Sequence, residues 1–108
     1  MRRGEVWWVD FDPAVGDKIR KRRPAVIVSN DSGNRSLNRV QVVPLSSNTS
    51  KLYPSEARVR IGETESKAMA DQLTTADKSR LLERFGGLSV ADLRAVENAV
   101  RVPVHHFE

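Results

Sequence analysis

The pattern of hydrophobic and polar residues along most of this chain is that of short strands, and its last part changes to a helical period. Glu5-Val6-Trp7-Trp8-Val9-Asp10-Phe11 is rich in aromatic and branched side chains, the mark of a strand. Asp12-Pro13 stops it, and a loop is predicted from Asp12 to Arg22. Pro24 then heads a second strand, where its missing N–H does least harm. The run Ala25 to Ser29 is continuously apolar up to its last residue, as a strand covered on both faces should be. Asn30 to Ser36 is turn chemistry with room for one helical turn. Arg39 to Leu45 reads as a third strand, followed by a polar loop from Ser46 to Pro54.

Glu56 to Ile61 alternates cleanly, with Ala57, Val59 and Ile61 on one face and Glu56, Arg58 and Arg60 on the other. That is a strand with one wet side. Lys67 to Leu73 reads as a further strand, and Thr75-Ala76-Asp77-Lys78 as the capped start of a short helix. Arg84 to Leu88 is a last strand, in which Gly86-Gly87 signals a bulge or a close backbone contact. After it Ser89 opens a helix with Asp92 in a weak capping box. Val90, Leu93, Val96 and Val100 form its apolar stripe, Arg101 meets its negative end, and Pro103 prevents continuation. Six short strands and one packing helix imply a mainly β fold, a curled antiparallel sheet or small barrel with helices at its margin.

Composition narrows the class. A length of 108 residues fits one domain, spanning 1–108, with enough buried surface for a core. Hydrophobic residues at 39% and charged residues at 30% are ordinary for a globular protein. The chain has no cysteine, so disulfides and thiolate metal sites are excluded and a reducing compartment is permitted. No apolar run reaches the ~20 residues that span a bilayer, and although Met1-Arg2-Arg3 resembles the start of a signal peptide, Gly4-Glu5 follows where an apolar segment should be. The expected location is the cytoplasm, without a membrane. A net charge of +4 favours an anionic partner.

Few constellations carry chemistry. There is no Ser/His/Asp spacing, glycine-rich phosphate loop or His/Cys cluster. His105-His106 lies near the chain end, where mobility is common, and Asp10 with Asp12 suits a strand end and a turn better than a metal. The basic stretch Lys18 to Arg23 is different: five of its six residues are cationic, and it abuts the predicted buried strand. A solvated charge run is the plain reading. Two features favour phosphate binding instead: Pro24 and the strand hold Arg23 in place, and the preceding strand carries Trp7 and Trp8, of which one is expected to face away from the core. Aromatic and cationic groups together suit unpaired RNA, whose bases stack while its phosphates pair with Arg and Lys. Leu45-Ser46-Ser47-Asn48 is a turn, or a set of hydroxyls and an amide able to hold a phosphate oxygen.

Taken in order, Arg3-Gly4-Glu5-Val6-Trp7-Trp8-Val9-Asp10, Arg23-Pro24-Ala25-Val26-Ile27-Val28-Ser29-Asn30-Asp31, Val42-Val43-Pro44-Leu45-Ser46-Ser47, and Asp71-Gln72-Leu73 followed by Asp77-Lys78-Ser79-Arg80-Leu81 resemble the MazF/PemK/Kid family of toxins. Each motif alone is weak; the ordered set spans nearly the whole chain. The resemblance implies an SH3-like barrel of antiparallel strands with a C-terminal helix packed on the sheet, as in MazF- and CcdB-like toxins. It implies a homodimer that cuts single-stranded RNA, chiefly mRNA, at a specific sequence, with no metal or other cofactor. Cleavage in the family leaves a cyclic phosphate and a 5′ hydroxyl, and a cognate MazE-like antitoxin occupies the RNA groove.

On this resemblance Arg23 and Ser46 are the catalytic residues, Ser46 standing where the family usually has threonine. The expected RNA contacts are Lys18, Arg20, Lys21 and Arg22 in the first loop, Ser47, Asn48 and Lys51 in the second, and Gln72 in the later motif. Two positions depart from the family pattern: Lys18 stands where an acidic residue is common, and Thr74 where several members carry arginine. Fold does not settle function. A non-enzymatic toxin on the same barrel, such as a gyrase poison, and a passive RNA- or protein-binding module are the alternatives.

Overall fold

Seven strands make one strongly curled, wholly antiparallel sheet in the computed structural model, which describes residues 1–11 and 22–102. They are β1 (Glu5–Asp10), β2 (Arg22–Ile27), β3 (Arg39–Ser46), β4 (Glu56–Ile61), β5 (Thr64–Met69), β6 (Thr74–Asp77) and β7 (Leu81–Gly87). The order across the sheet is β4-β5-β3-β2-β1-β7, with β6 paired to β3 off this path. Two helices complete the fold, α1 (Asp31–Ser36) and α2 (Val90–Val100). The mainly β, half-barrel architecture with a C-terminal helix is the one the alternation predicts. No described helix is long and apolar enough to cross a membrane.

The middle of the sheet is buried on both faces, which explains the unbroken apolar run of β2. Successive residues serve two cores: Val26 belongs to one, with Val6, Val43, Leu45, Val59 and Val96, while Ala25 and Ile27 belong to the other, with Val9, Val40, Val42 and Leu81. Strand β4 has one wet side, and Ala57, Val59 and Ile61 are its buried set, in the phase the sequence predicts. Strand β3 changes partners along its length. Its first half pairs with β6 (Val42↔Thr74) and its end with β5 (Leu45↔Ala68), so Pro44 falls in the handover, where a missing N–H breaks no ladder on that side. Pro24 pairs with Trp8, whereas β2 meets β3 only from Ala25 onward. It therefore also has a strand on one side only, two residues inside β2 rather than at its head.

Both helices are capped, α2 by the Ser89 the sequence suggests and α1 by Asn30, which the sequence marks only as turn chemistry. The Asn30 side chain accepts from the Gly33 N–H at 2.8 Å, and Ser89 Oγ accepts from the Asp92 N–H at 3.1 Å. The Asp92 carboxylate does not close the capping box; it accepts from the Arg60 N–H of β4 at 2.9 Å and ties helix to sheet. Val96 and Ala99 are the buried face of α2, with Leu93 and Val100 packed beside them. Val90 is 75% exposed and lies outside the stripe the spacing assigns it to.

Three expectations are corrected. The strand expected over Lys67–Leu73 runs instead over Thr64–Met69 and ends in a 3₁₀ turn at Ala70–Gln72. The helix expected from Thr75 is strand β6, because Val40↔Ala76 and Gln41↔Thr75 pairing places Ala76 in a core; only Lys78–Arg80 makes a 3₁₀ turn. Strand β7 begins at Leu81, three residues early, and the sheet has seven strands rather than six.

Gly86 does mark a close contact. A Cβ there would lie 2.5 Å from Ile61 Cγ2, so β7 closes onto β4 through bare backbone. Gly86→Ala is expected to cost ~1–3 kcal/mol of stability by overpacking. In an Ile61→Ala background the same change should cost less, a coupling that urea unfolding of the four proteins measures.

Glu5 anchors the start of β1. Burial pushes its carboxyl up, but the Trp7 indole N–H at 2.9 Å and the Arg2 amide at 3.1 Å outweigh this and hold its pKa below the ordinary carboxylate value. The unfolded chain therefore binds the proton more readily. Glu5 contributes stability above the ordinary value and loses it as the pH falls through the lower folded-state value. Urea midpoints measured from neutral pH downward should fall less steeply in Glu5→Gln than in wild type.

Candidate active site

The start of β2 and the end of β3 open onto one groove of about 410 Å³. Arg22, Arg23 and Pro24 form one wall and Leu45, Ser46 and Ser47 another. Thr64 and Ser66 of β5 and the rings of Trp8 and Phe85 complete the lining. Residues twenty or more apart in sequence meet here because β2 and β3 are antiparallel neighbours, with Ala25 opposite Pro44.

Arg22 is exposed and Arg23 half-buried, and among the described residues neither has an ion pair or a side-chain hydrogen bond. Two guanidiniums so placed repel each other and attract an anion. Ser46 lies where β3 ends in a tight turn: its Oγ accepts from the Asn48 N–H at 3.1 Å. Asn48 Oδ1 in turn accepts from Ser50 Oγ at 2.8 Å and from the Ser50 N–H at 3.3 Å. These side-chain turns fix the hydroxyl oxygen and leave the Ser46 O–H to donate.

A buried ion pair lies behind this turn, and sequence reasoning passed over it. Lys67 pairs in register with Ser46 across β3 and β5. Its ammonium is 3.0 Å from Glu56 Oε1, with the two side chains only 10% and 9% exposed. It also donates to the Lys51 carbonyl at 3.0 Å and lies 5.6 Å from the centre of the Tyr53 ring. Lys67 thereby latches the 46–55 loop to the sheet. The signal in the sequence is a lysine flanked by Ser66 and Ala68-Met69-Ala70, a setting with no water for it unless it is paired.

The structure brings Arg22, Arg23, Ser46 and Ser47 together in the groove. Asn48 and Lys51 follow in the adjoining loop, Asn48 as part of the Ser46 turn and Lys51 through its carbonyl in the latch. Gln72 does not line the groove; it is exposed on the 3₁₀ turn after β5, with Nε2 3.7 Å from Met69 Sδ. Lys18, Arg20, Lys21, Asp12, His105 and His106 lie outside the described residues. Thr64, Ser66 and Phe85 are groove residues that the sequence reading did not single out. Among the described residues, no three His, Asp or Glu side chains cluster as metal ligands.

With this geometry in hand, relatives become informative. A family model described as PemK-like, MazF-like toxin of type II toxin–antitoxin system matches residues 2–103. The chain belongs to that family. Endoribonuclease MazF9 of Mycobacterium tuberculosis is 39% identical over 111 residues, covering 94% of each chain. Among solved structures, MazF of Deinococcus radiodurans superposes with a TM-score of 0.77 at 26% identity, over 93% of this chain and 92% of that one. The MazE–MazF complex from the same organism gives 0.79 at 26% identity, over 93% and 91%. The half-barrel with its C-terminal helix is thus the MazF fold.

The latch has a measurable signature in this MazF-family chain. Lys67→Met leaves the buried Glu56 carboxylate without its cation, with the Tyr53 N–H still donating to it at 3.0 Å, and should cost on the order of 3 kcal/mol. Replacing Glu56 as well, in Lys67→Met/Glu56→Leu, should recover much of that loss. Hydrogen exchange of the Asn48 and Ser50 amides should quicken in the single variant more than exchange in β1 and β2.

Proposed function

We propose that this chain is a sequence-specific, metal-independent endoribonuclease toxin that cuts single-stranded RNA, chiefly mRNA. In this reading it acts in the cytoplasm as a homodimer and is silenced by a cognate antitoxin. Endoribonuclease activity accords with the family and with relatives that carry that name. The solved MazE–MazF complex is the precedent for an antitoxin. The observation that carries the finer reading is the convergence of Arg22, Arg23 and Ser46 on one groove, the two cations without a carboxylate partner among the described residues.

The chemistry asks little else of the protein. The ribose 2′ oxygen attacks the adjacent phosphorus, the P–O5′ bond breaks, and a 2′,3′-cyclic phosphate forms. The proton lost by the 2′ hydroxyl ends on the 5′ oxygen, so no water is consumed. Negative charge gathers on the non-bridging oxygens in the pentavalent transition state. The Arg23 guanidinium donates two N–H bonds to them, and the Ser46 O–H donates a third. Arg22 supplies salt-sensitive attraction for the neighbouring phosphates. The role proposed for Arg23 is to hold that charge in the transition state.

Cleavage of a long single-stranded RNA in the presence of EDTA tests this reading. Wild type should make discrete cuts with cyclic-phosphate ends. Arg23→Ala and Ser46→Ala should each lose on the order of a hundredfold in kcat while unfolding at the wild-type urea midpoint. Activity lost in EDTA and restored by Mg²⁺ would falsify the metal-free mechanism. Full activity in Arg23→Ala would remove Arg23 from the chemistry.

A further inference from the structure

The groove carries aromatic rings that phosphate chemistry leaves unused. Strand β7 pairs with β1 irregularly: Val6 faces Gly86 but Trp7 faces Arg84, and Trp8 faces Glu83 but Val9 faces Leu81. Phe85 and Leu82 are therefore extra residues at two bulges, each without a partner on β1. A bulge turns its side chain away from the regular alternation. Both residues stay well exposed, Phe85 at 39% and Leu82 at 46%. Their destinations differ. Leu82 does not line the groove, whereas the first bulge carries Phe85 onto Trp8, with ring centroids 5.5 Å apart and planes tilted by 57°.

A tilted pair of this kind keeps ring face free for a third ring. Thr64 and Ser66 of β5, each bearing a hydroxyl, line the same groove. Ser66 is 7% exposed, and among the described residues its hydroxyl has no hydrogen-bond partner, although a buried hydroxyl without one is costly. An aromatic face, a buried hydroxyl without a partner among the described residues, and cations in the same groove, with Trp8 paired to Pro24 next to Arg23, form a set that one ligand class satisfies throughout: a planar base bearing hydrogen-bonding edge atoms and joined to a phosphate.

We infer that the Trp8–Phe85 pair, with Ser66 and Thr64, seats one unpaired base beside the phosphate held by Arg23 and Ser46, and that this seat sets one letter of the cleaved sequence. The inference rests on the nuclease reading above. The ring contributes affinity, since every base has a stacking face. The hydroxyls and the limited room contribute choice, since a buried hydroxyl penalises a base edge that offers it nothing. An acidic partner protein with an apolar side chain is the competing occupant. It matches the charge and the rings but gives no account of the Ser66 hydroxyl.

The test is cleavage of a randomised single-stranded RNA library, with sequencing of the cut ends, by wild type, Phe85→Leu, Phe85→Tyr, Ser66→Ala and Leu82→Ala. Phe85 is on an exposed edge, so the fold should withstand its replacement. Phe85→Leu should lose about ten- to a hundredfold in kcat/KM, mainly through KM, and relax preference at one position of the cut sequence. Phe85→Tyr should restore stacking and most of the efficiency. Leu82→Ala, at the bulge outside the groove, should behave as wild type. Ser66→Ala should alter the preferred base at the position that Phe85→Leu relaxes. A Phe85→Leu protein that cuts the same sequence as efficiently as wild type overturns this inference alone, including when that protein has lost antitoxin binding. A library left whole by wild type overturns the nuclease reading with it.

Discussion

Everything at the site depends on the abrupt change of solvent at residues 23–25. From Ala25 onward β2 is enclosed on both faces, while Arg22 and Arg23, on the same strand, open to water. A guanidinium cannot enter either core without losing its hydration, and the apolar residues behind it cannot leave theirs. The strand is therefore fixed in register by its interior, and the two cations are fixed by the strand. A charge cluster on a free tail would have to be ordered by each ligand that it met. Here that cost is met by folding, which is what preorganised electrostatic stabilisation requires.

The same logic holds on the other wall. Ser46 closes a strand whose preceding residues are core, and the hydrogen-bonded turn through Asn48 and Ser50 sets its hydroxyl. Behind it the Lys67–Glu56 pair holds the loop from beneath. A buried ion pair contributes little net stability, because desolvation offsets most of the attraction. Its value here is positional: it holds the Lys51 carbonyl, and so the loop path, where an apolar contact would leave the chain free to slide.

Legibility followed from how local each cause is. The alternation of Glu56 to Ile61 and the unbroken run from Ala25 reveal their burial directly, because burial on one or two faces leaves its own period. Capping by Ser89 is equally local. Thr74 to Asp77 misleads because threonine and aspartate favour helix starts, and only pairing with Arg39 to Val42, more than thirty residues upstream, makes a strand of them. Arg23 and Ser46 were visible through family resemblance, with the basic run as a local hint. Phe85 and Ser66 were hidden, since a bulge and an unpaired hydroxyl are facts of three dimensions. Gly86-Gly87 signalled irregularity without showing which side chain it would redirect.

The two ends of the sheet bring a last consequence. A curled sheet that stops short of a closed barrel leaves strand edges on which other chains could build, and a protein made inside a crowded cell must discourage that. On β4 the Arg60 amide, which an incoming strand would need, is already taken by Asp92. On β7 two extra residues break the regular spacing that a new ladder would have to match. The irregularity that delivers Phe85 to the groove therefore also spoils the edge as a template for aggregation. Straightening β7 to a regular strand would endanger solubility as well as recognition.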